Sequence, residues 1–304
     1  MNKNEKILRG LVAAPFTPFG PDGALSLDVI EGFAKYLAKV GVTGVFVCGT
    51  TGEFASLTVA ERKEIAAKWV SVARPLGLRV AVHVGDNCLL NAEELARHAE
   101  TIGADAVAMV PPHYFRPEGV DAVLETIEIV AKASGLPLFY YDIPGLTGVS
   151  IPTSTLVELA WKQVPTFLGV KFSNQNLVEL QRCLAIDEGA LNVLFGCDEM
   201  LMAAHGLGVD GAVGSTYNYM APVYHELIAA FDEGRLADAR GLQRRSVDLV
   251  ALLDQVSPLA AGKSLLRRLG FDFGLVRTPV ARLTEGQQRD FDRAVDALGI
   301  FDKV

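Results

Sequence analysis

The sequence predicts a single (β/α)8 barrel followed by a C-terminal helical extension. Eight short apolar segments alternate with amphipathic ones, and most of the short segments are apolar at consecutive rather than alternate positions. Consecutive apolar residues are typical of parallel strands that are covered on both faces. The strand signals stop near residue 233, and the chain of 304 residues exceeds the length of about 250 that a barrel of this class needs.

Eight segments rich in branched apolar residues are the strand candidates. They are residues 11–14, 44–48, 80–84, 106–110, 138–141, 167–171, 193–195 and 211–213. Their alternation with helical segments favours a parallel sheet, and eight such units favour a closed barrel. An open doubly wound sheet is the alternative. Such a sheet usually carries a phosphate-binding loop after its first strand, where residues 13–18 of this chain read Ala-Ala-Pro-Phe-Thr-Pro.

The helix candidates are recognised by their periodicity and their start signals. Thr58 and Glu61 have the spacing of a capping box ahead of a helix over residues 62–73. Asn91 is the candidate cap of a helix that ends at Ile102. The other helices are predicted at residues 28–40, 120–134, 155–161, 177–186, 199–205, 222–232, 235–254, 262–269 and 284–298. The chain is thereby divided into a catalytic barrel, residues 1–232, and a helical extension, residues 233–304.

The charge and the apolar pattern restrict the classes of partner. The formal net charge is −8, and an acidic surface offers no general attraction to nucleic acid or anionic lipid. No apolar run is long enough to span a bilayer, and residues 1–10 lack the apolar segment of a signal peptide. We therefore expect a cytoplasmic protein that binds neither nucleic acid nor membranes.

The cysteine and histidine spacing argues against a disulfide framework or a metal site. The four cysteines are scattered, and the five histidines have no metal-binding spacing. Residues 206–211 match the dinucleotide pattern G-x-G-x-x-G, but they lie between a predicted helix and a predicted strand. The functional motif follows a strand and opens a helix. We expect neither a metal nor a bound cofactor.

Lys171 is the sharpest candidate for chemistry. Catalytic groups of a (β/α)8 barrel lie at the carboxyl ends of its strands, and Lys171 ends the sixth strand candidate. Lysine is seldom buried unless it is paired or functional. Burial favours the neutral amine, which can attack a carbonyl and form an imine. The alternative is a lysine at the end of a strand whose ammonium group simply reaches solvent.

Polar groups also follow the neighbouring strands. Thr50 and Thr51 lie in Gly-Thr-Thr-Gly-Glu, residues 49–53, a turn whose hydroxyl and amide groups could hold a carboxylate or phosphate. The alternative is an ordinary connection between a strand and a helix. Tyr141 could relay a proton beside the lysine, and Tyr114 is a similar candidate. Either tyrosine could instead be an aromatic residue packed at the barrel rim.

Asp198 and Glu199 follow the seventh strand candidate. Their carboxylates could bind the hydroxyl groups of a polyol. The alternative is a helix start, where acidic residues interact favourably with the helix dipole.

Taken in order, three motifs resemble one family. They are Gly-Thr-Thr-Gly-Glu at residues 49–53, Tyr-Asp-Ile-Pro at 141–144 and Gly-Val-Lys-Phe-Ser at 169–173. These motifs are similar to segments of the dihydrodipicolinate synthase/N-acetylneuraminate lyase family, and the resemblance covers nearly the whole chain. It implies a (β/α)8 barrel, commonly a homotetramer, that acts on a small 2-keto acid. The reaction would pass through a covalent imine on Lys171 and need no cofactor.

The resemblance also implies roles for individual residues. Thr50 and Thr51 would hold the substrate carboxylate, and Tyr141 would transfer the proton when the carbon–carbon bond breaks. Tyr114 matches a family tyrosine that reaches into the site of a neighbouring subunit.

Within the family, the lyase branch is the more similar one. The synthase branch usually has an arginine that pairs with a second carboxylate, where this chain has Leu146. Ser173 stands where the lyases often carry a threonine. Four residues are similar to those that contact the polyhydroxyl tail of sialic acid: Gly196, Asp198, Glu199 and Ser215.

The expected reaction is therefore cleavage of N-acetylneuraminate to pyruvate and N-acetylmannosamine. Cys197 departs from the larger residue of many sialic acid lyases. This leaves open a 2-keto-3-deoxy sugar acid aldolase or dehydratase, or a 4-hydroxy-tetrahydrodipicolinate synthase. A non-catalytic sensor of keto acids is the alternative outside enzymes. A sensor would be free to lose the lysine or the tyrosine, and both are present.

Overall fold

The computed structural model describes residues 5–301. The first four residues of the predicted barrel domain and the last three of the predicted extension, 1–4 and 302–304, lie outside the described residues. The strands are β1 Gly10–Ala13, β2 Gly44–Val47, β3 Arg79–His83, β4 Ala106–Met109, β5 Leu138–Asp142, β6 Phe167–Phe172, β7 Asn192–Phe195 and β8 Gly211–Gly214. They pair in parallel in chain order, and β1 also pairs with β8 to close the barrel. The predicted fold class is confirmed, and each predicted strand bound lies within one residue of the observed one.

Helices connect the strands and continue beyond them. They are α1 Val29–Lys39, α2 Val59–Ala73, α3 Leu89–Ile102, α4 Gly119–Lys132, α5 Pro144–Thr147, α6 Thr153–Gln163, α7 Leu177–Leu184, α8 Leu201–Leu207, α9 Tyr217–Asp232, α10 Leu236–Asp254, α11 Pro258–Arg268 and α12 Glu285–Ala297. Short 3-10 turns lie at Phe54–Ser56, Arg74–Leu76, Ile186–Gly189 and Asp198–Met200. Every predicted helix has a counterpart among them.

The strands are buried along their length because they are covered on both faces. All residues of β2, β4, β5, β6 and β7 are buried. In a barrel, alternate side chains of a strand fill the interior, and the others pack against the surrounding helices. Both sets must therefore be mainly apolar, which explains the consecutive apolar residues.

The capping box at the start of α2 is confirmed. The Thr58 side chain accepts a hydrogen bond from the backbone N–H of Glu61 at 3.2 Å, and a Glu61 carboxylate oxygen accepts one from the Thr58 N–H at 2.9 Å. Two backbone donors at the helix start are thereby satisfied. The helix begins directly after Thr58, three residues before the predicted bound.

Besides α2, the starts of α3, α9 and α11 differ from the prediction by three residues or more, and α11 begins at Pro258, four residues before the predicted bound. Cys88, not Asn91, is the residue that precedes α3, and its N–H is bound by the Asp86 carboxylate at 2.9 Å. Helix α9 begins five residues before Pro222. Its first turn is buried, and Asn218 donates from Nδ2 to the carbonyl oxygen of Ala14 at 2.7 Å. Tertiary contacts, rather than the proline, set where α9 begins.

The C-terminal helices pack on the barrel. Helix α10 contacts α8 and α9, and both α11 and α12 contact α10. No single helix in residues 5–301 is long and apolar enough to span a bilayer, and only α10 and α11 taken together, bent by 120°, match in length and composition. The division into a catalytic domain and an extension at residue 233 stays a prediction.

Candidate active site

A cavity of about 210 Å³ lies at the carboxyl ends of the strands. Nine of the ten predicted site residues line it: Thr50, Thr51, Tyr141, Lys171, Ser173, Gly196, Asp198, Glu199 and Ser215. They follow or end β2, β5, β6, β7 and β8. Because parallel strands in a closed barrel end at one face, residues that are far apart in the chain converge there.

Lys171 lies within β6 with its side chain directed at this cavity. The residue is only 4% exposed, so its amine does not extend into solvent. Nζ lies 4.0 Å from the ring centroid of Tyr141 and 4.1 Å from that of Phe46. Aromatic faces attract a cation and shield the amine from water. The geometry favours a lysine held for chemistry over one that reaches solvent.

Tyr141 connects the lysine to the Gly-Thr-Thr-Gly-Glu turn. It pairs in register with Lys171 across β5 and β6. Its hydroxyl lies 3.4 Å from Oγ1 of Thr50. Its ring packs edge-on against Phe46, with the centroids 5.4 Å apart. The hydroxyl of Tyr141 is therefore beside a second hydroxyl that can share a proton with it.

The turn over residues 49–53 has an unusual backbone at both ends. Cys48 and Glu53 each have φ of 57°, in the left-handed region that non-glycine residues seldom adopt. A Cβ on Gly52 would lie 3.2 Å from the Cα of Cys48. The Thr17 hydroxyl donates to the Gly52 carbonyl at 2.7 Å. Strained backbone that the surroundings hold in place is often found at functional sites, which favours a binding turn over an ordinary connection.

Asp198 is buried between the ends of β7 and β8. One carboxylate oxygen accepts bonds from Thr216, at 2.9 Å from N and 2.6 Å from Oγ1. Burial raises the pKa of Asp198, while the bonds from Thr216 oppose this shift. A Cβ on Gly214 would lie 1.8 Å from the other carboxylate oxygen. Only glycine at position 214 leaves room for this carboxylate.

Glu199 gives the cavity an acidic edge. Burial raises its pKa, and the nearby carboxylates of Asp198 and Asp254 add to the effect. Asp254 lines the same cavity from the end of α10. The carboxylates at this edge can accept hydrogen bonds from hydroxyl groups of a ligand. They repel a ligand group that is itself negatively charged.

Ser173 and Gly196 pack directly against each other. A Cβ on Gly196 would lie 2.0 Å from the Ser173 hydroxyl oxygen. Only glycine at position 196 leaves room for this hydroxyl, and both residues line the cavity.

Tyr114 does not line the cavity in a single chain. It is 78% exposed, and its ring packs edge-on against Phe115, which is 86% exposed. The sequence suggested two roles for Tyr114 within one chain, proton transfer beside the lysine and packing at the barrel rim. Neither matches a side chain that is exposed and outside the cavity. The contribution to a neighbouring subunit, which the family resemblance implies, stays a prediction.

A second cavity of about 340 Å³ adjoins the first. The two share Thr50 and Ile143, and Leu146, which is 65% exposed, lines the second one. Leu146 has no charge with which to bind a second substrate carboxylate. The first cavity contains the lysine and is therefore the candidate site of chemistry.

His83 lies next to the candidate site and was not singled out from the sequence. His83 is buried behind Tyr141, with ring centroids 6.0 Å apart, and its Nε2 accepts a bond from the Val110 N–H at 3.3 Å. Burial holds the pKa of His83 well below its ordinary value, and the charges of Arg62 and Lys171 lower it further. The position of His83 at the end of a strand was the available signal.

The extension supplies four further residues that line the cavity: Val250, Leu253, Asp254 and Pro258. No local pattern marked them, because their role depends on how α10 packs. Among residues 5–301, no group of three or more His, Cys, Asp or Glu side chains is arranged to hold a metal ion.

A cavity at the carboxyl ends of the strands, with a buried lysine and several hydroxyl and carboxylate groups, defines the class. It is a barrel of the kind that carries an active site at that face. Residues 7–298 match the Dihydrodipicolinate synthetase family. The chain belongs to that family, as its three motifs predicted.

Similar proteins cover almost the whole chain. The N-acetylneuraminate lyase of Danio rerio is 39% identical over 295 residues, which are 95% of this chain and 92% of that protein. The structure of Proteus mirabilis N-acetylneuraminate lyase has a TM-score of 0.94 and 36% identity, and covers 97% of this chain and 99% of its own. The dihydrodipicolinate synthase of Cyanidioschyzon merolae with lysine bound has a TM-score of 0.91 at 26% identity, with 98% and 100% covered.

Proposed function

We propose that this protein is an N-acetylneuraminate lyase, a class I aldolase that cleaves N-acetylneuraminate to pyruvate and N-acetylmannosamine. The observation that carries the proposal is the buried amine of Lys171, which lies 4.0 Å from the ring centroid of Tyr141 and borders a cavity lined by hydroxyl and carboxylate groups. Relatives with 36–39% identity that carry this name support the choice of substrate.

The proposed reaction begins at Lys171. Its neutral amine attacks the C2 carbonyl of the open-chain sugar acid, and water leaves as the imine forms. As the C3–C4 bond breaks, the Tyr141 hydroxyl takes up the proton of the C4 hydroxyl and passes its own proton to the substrate carboxylate. The bond electrons move into the protonated imine, which becomes an enamine, and the C4 carbon leaves as an aldehyde. The proton then returns through Tyr141 to C3 of the enamine, and hydrolysis of the imine releases pyruvate and restores the lysine.

The two ends of the substrate would be held by different parts of the cavity. Thr50 and Thr51 would bind the carboxylate with their hydroxyl groups and with backbone N–H groups of the turn. The polyhydroxyl tail would meet the residues after β6, β7 and β8. These are Ser173, Gly196, Asp198, Glu199 and Ser215.

Among the alternatives, a 2-keto-3-deoxy sugar acid would use the same lysine and the same carboxylate site. A synthase of the dihydrodipicolinate type is less well supported, because the exposed Leu146 cannot bind a second carboxylate. A keto-acid sensor would not need the Tyr141–Thr50 pair beside the amine.

The assembly and surroundings of the protein are part of the proposal. We infer a homotetramer in which Tyr114 of one subunit approaches the site of another, since both Tyr114 and Phe115 are exposed. Light scattering of the purified protein measures the number of subunits. Turnover by a Tyr114→Ala variant measures whether this tyrosine contributes to the site. All four cysteines are free thiols, as in proteins of a reducing compartment, which supports a cytoplasmic location. The imine on Lys171 serves in place of a cofactor.

The test is release of pyruvate from N-acetylneuraminate, followed through coupled lactate dehydrogenase. We expect turnover by the natural protein and none by Lys171→Ala. In parallel, borohydride should trap pyruvate on Lys171, as seen by peptide mass spectrometry. Trapping without turnover would move the substrate to another 2-keto sugar acid. Absence of trapping would refute the imine mechanism.

A further inference from the structure

Glu53 ends the Gly-Thr-Thr-Gly-Glu turn, and it borders the second cavity rather than the one that contains Lys171. It is 4% exposed, and its backbone is in the left-handed region. A carboxylate at such a position needs partners, because burial of an unpaired charge is strongly unfavourable. Its partners come from the C-terminal extension.

Lys263 of α11 is the first partner. Its Nζ lies 2.9 Å from one Glu53 carboxylate oxygen, and both side chains are almost completely buried. The Lys263 amine also donates to the carbonyl of Leu275 at 2.8 Å and lies 4.5 Å from the ring centroid of Phe19. The lysine is thereby held from three sides.

The second partner is the segment after α11. The backbone N–H of Arg277 donates to the other Glu53 oxygen at 2.9 Å. The Arg277 side chain binds the Glu61 carboxylate and the carbonyl oxygens of Gly23 and Ser56. One Glu53 oxygen is therefore in an ion pair with Lys263 and the other accepts a hydrogen bond from Arg277, and both partners belong to the extension.

Close packing brings α11 to this position. A Cβ on Gly262 would lie 2.3 Å from the Phe16 ring. Only glycine next to Lys263 allows the helix to approach so closely. The lysine then reaches the turn over residues 49–53 from outside the barrel.

A buried ion pair adds little net stability, because removing both charges from water offsets much of their attraction. The pair does determine geometry. Its carboxylate belongs to a residue with strained backbone, two positions after Thr51, and Thr50 in the same turn contacts Tyr141.

We propose that Glu53, held by Lys263 and by the Arg277 N–H, is a positioning residue that keeps Thr50 and Thr51 in place to bind the carboxylate of the 2-keto acid. This inference rests on the proposed function, since it deepens the role of the same turn. It follows that the C-terminal extension is required for carboxylate binding, not only for folding.

The test compares four proteins: natural, Lys263→Met, the double variant Glu53→Gln/Lys263→Met, and Arg267→Met. Methionine retains the length of the lysine without its charge. The double variant leaves no buried charge unpaired. Arg267 is the matched control, a cation on the same helix that pairs with exposed Asp272. Each protein is titrated with pyruvate under borohydride, and the adduct on Lys171 is quantified together with the unfolding temperature.

We expect the pyruvate concentration at half-saturation to rise about tenfold in Lys263→Met and in the double variant. Small displacements of the groups that bind a substrate have large effects on how well it is held. The adduct yield at saturation should stay near that of the natural protein, and Arg267→Met should match it throughout. The KM for the cleaved sugar acid should rise with kcat nearly unchanged. A merely destabilised protein would instead show less active enzyme with the same half-saturation.

Other results would overturn the inference. One is unchanged half-saturation in a folded Lys263→Met protein, and another is an equal rise in Arg267→Met. If both charge variants are unfolded at the assay temperature, the pair is structural and the positioning role is rejected. Pyruvate trapping does not depend on the sugar, so a wrong sugar substrate leaves the test intact. If the natural protein traps no pyruvate on Lys171, the proposed function fails as well.

Discussion

Tyr141 and Lys171 pair in register on adjacent strands, and Nζ of the lysine lies 4.0 Å from the centroid of the tyrosine ring. The hydroxyl of the same tyrosine lies 3.4 Å from Thr50. In the proposed reaction, one residue thus has two separate tasks. Its ring covers the amine, and its hydroxyl transfers a proton.

The two tasks can be separated by Tyr141→Phe. The ring over Lys171 stays, so we expect pyruvate still to be trapped on the lysine by borohydride. Loss of the hydroxyl should lower kcat for cleavage by about 10²–10⁴-fold, the usual contribution of general acid–base catalysis. Mass spectrometry of the trapped pyruvate adduct tests the role of the ring, and turnover in the coupled assay tests the role of the hydroxyl.

Tyr36→Phe is the control for that experiment. Tyr36 packs against Phe33 and Phe271, outside the cavity. Removal of the Tyr36 hydroxyl should leave kcat for cleavage unchanged. Full turnover by Tyr141→Phe would exclude this tyrosine as the proton carrier.

Gly214→Ala should disturb Asp198. The new methyl group would lie 1.8 Å from a carboxylate oxygen, so the carboxylate must move. We expect the free energy of unfolding to fall by about 1–3 kcal/mol, as for other overpacked sites, and the KM for the sugar acid to rise. Urea unfolding and steady-state kinetics measure these effects. Gly286→Ala, where nothing lies within 4 Å, should instead stabilise α12 slightly.

The ion pair of Glu61 and Arg277 makes stability depend on pH. The hydrogen bond from Arg277 lowers the pKa of Glu61 from 4.5 to about 2. The charged carboxylate is favoured in the folded state, so its contribution is present above pH 4.5 and is lost as the pH falls toward 2. Because both side chains are partly exposed, we expect about 1 kcal/mol.

Glu61→Gln tests this pH dependence. At pH 7 the variant should have the lower free energy of unfolding, and the difference from the natural protein should shrink as the pH is lowered through that window. Urea unfolding at a series of pH values measures it. A difference that is constant with pH would mean that the ion pair is not its source.

Cysteine alkylation should be selective. Burial raises the pKa of Cys48, Cys183 and Cys197 to about 12, so few of these thiols are ionised near neutral pH. Cys88 is exposed. We expect iodoacetamide to modify Cys88 first and to leave turnover unchanged. Mass spectrometry of the labelled peptides, with turnover measured in parallel, checks this, and rapid labelling of Cys197 would contradict it.

Local patterns in the sequence were sufficient for much of the fold. A strand covered on both faces must be apolar at consecutive residues, so all eight strands were located before any contact was known. The capping box at Thr58 was recognised because its bonds join residues three positions apart. The start of helix α9 was predicted five residues too late, because it depends on the contact between Asn218 and Ala14, which no local pattern records.

The sequence by itself determined the barrel, the lysine at the end of the sixth strand and the polar turns after neighbouring strands, because strand direction brings those ends to one face. Only the tertiary structure decided the rest. It exposed Tyr114, brought Asp254 to the cavity and joined Glu53 to Lys263 and Arg277. Arg277 and Glu53 lie 224 positions apart. Contacts at such separations arise from the packing of whole helices and leave no periodicity in the chain.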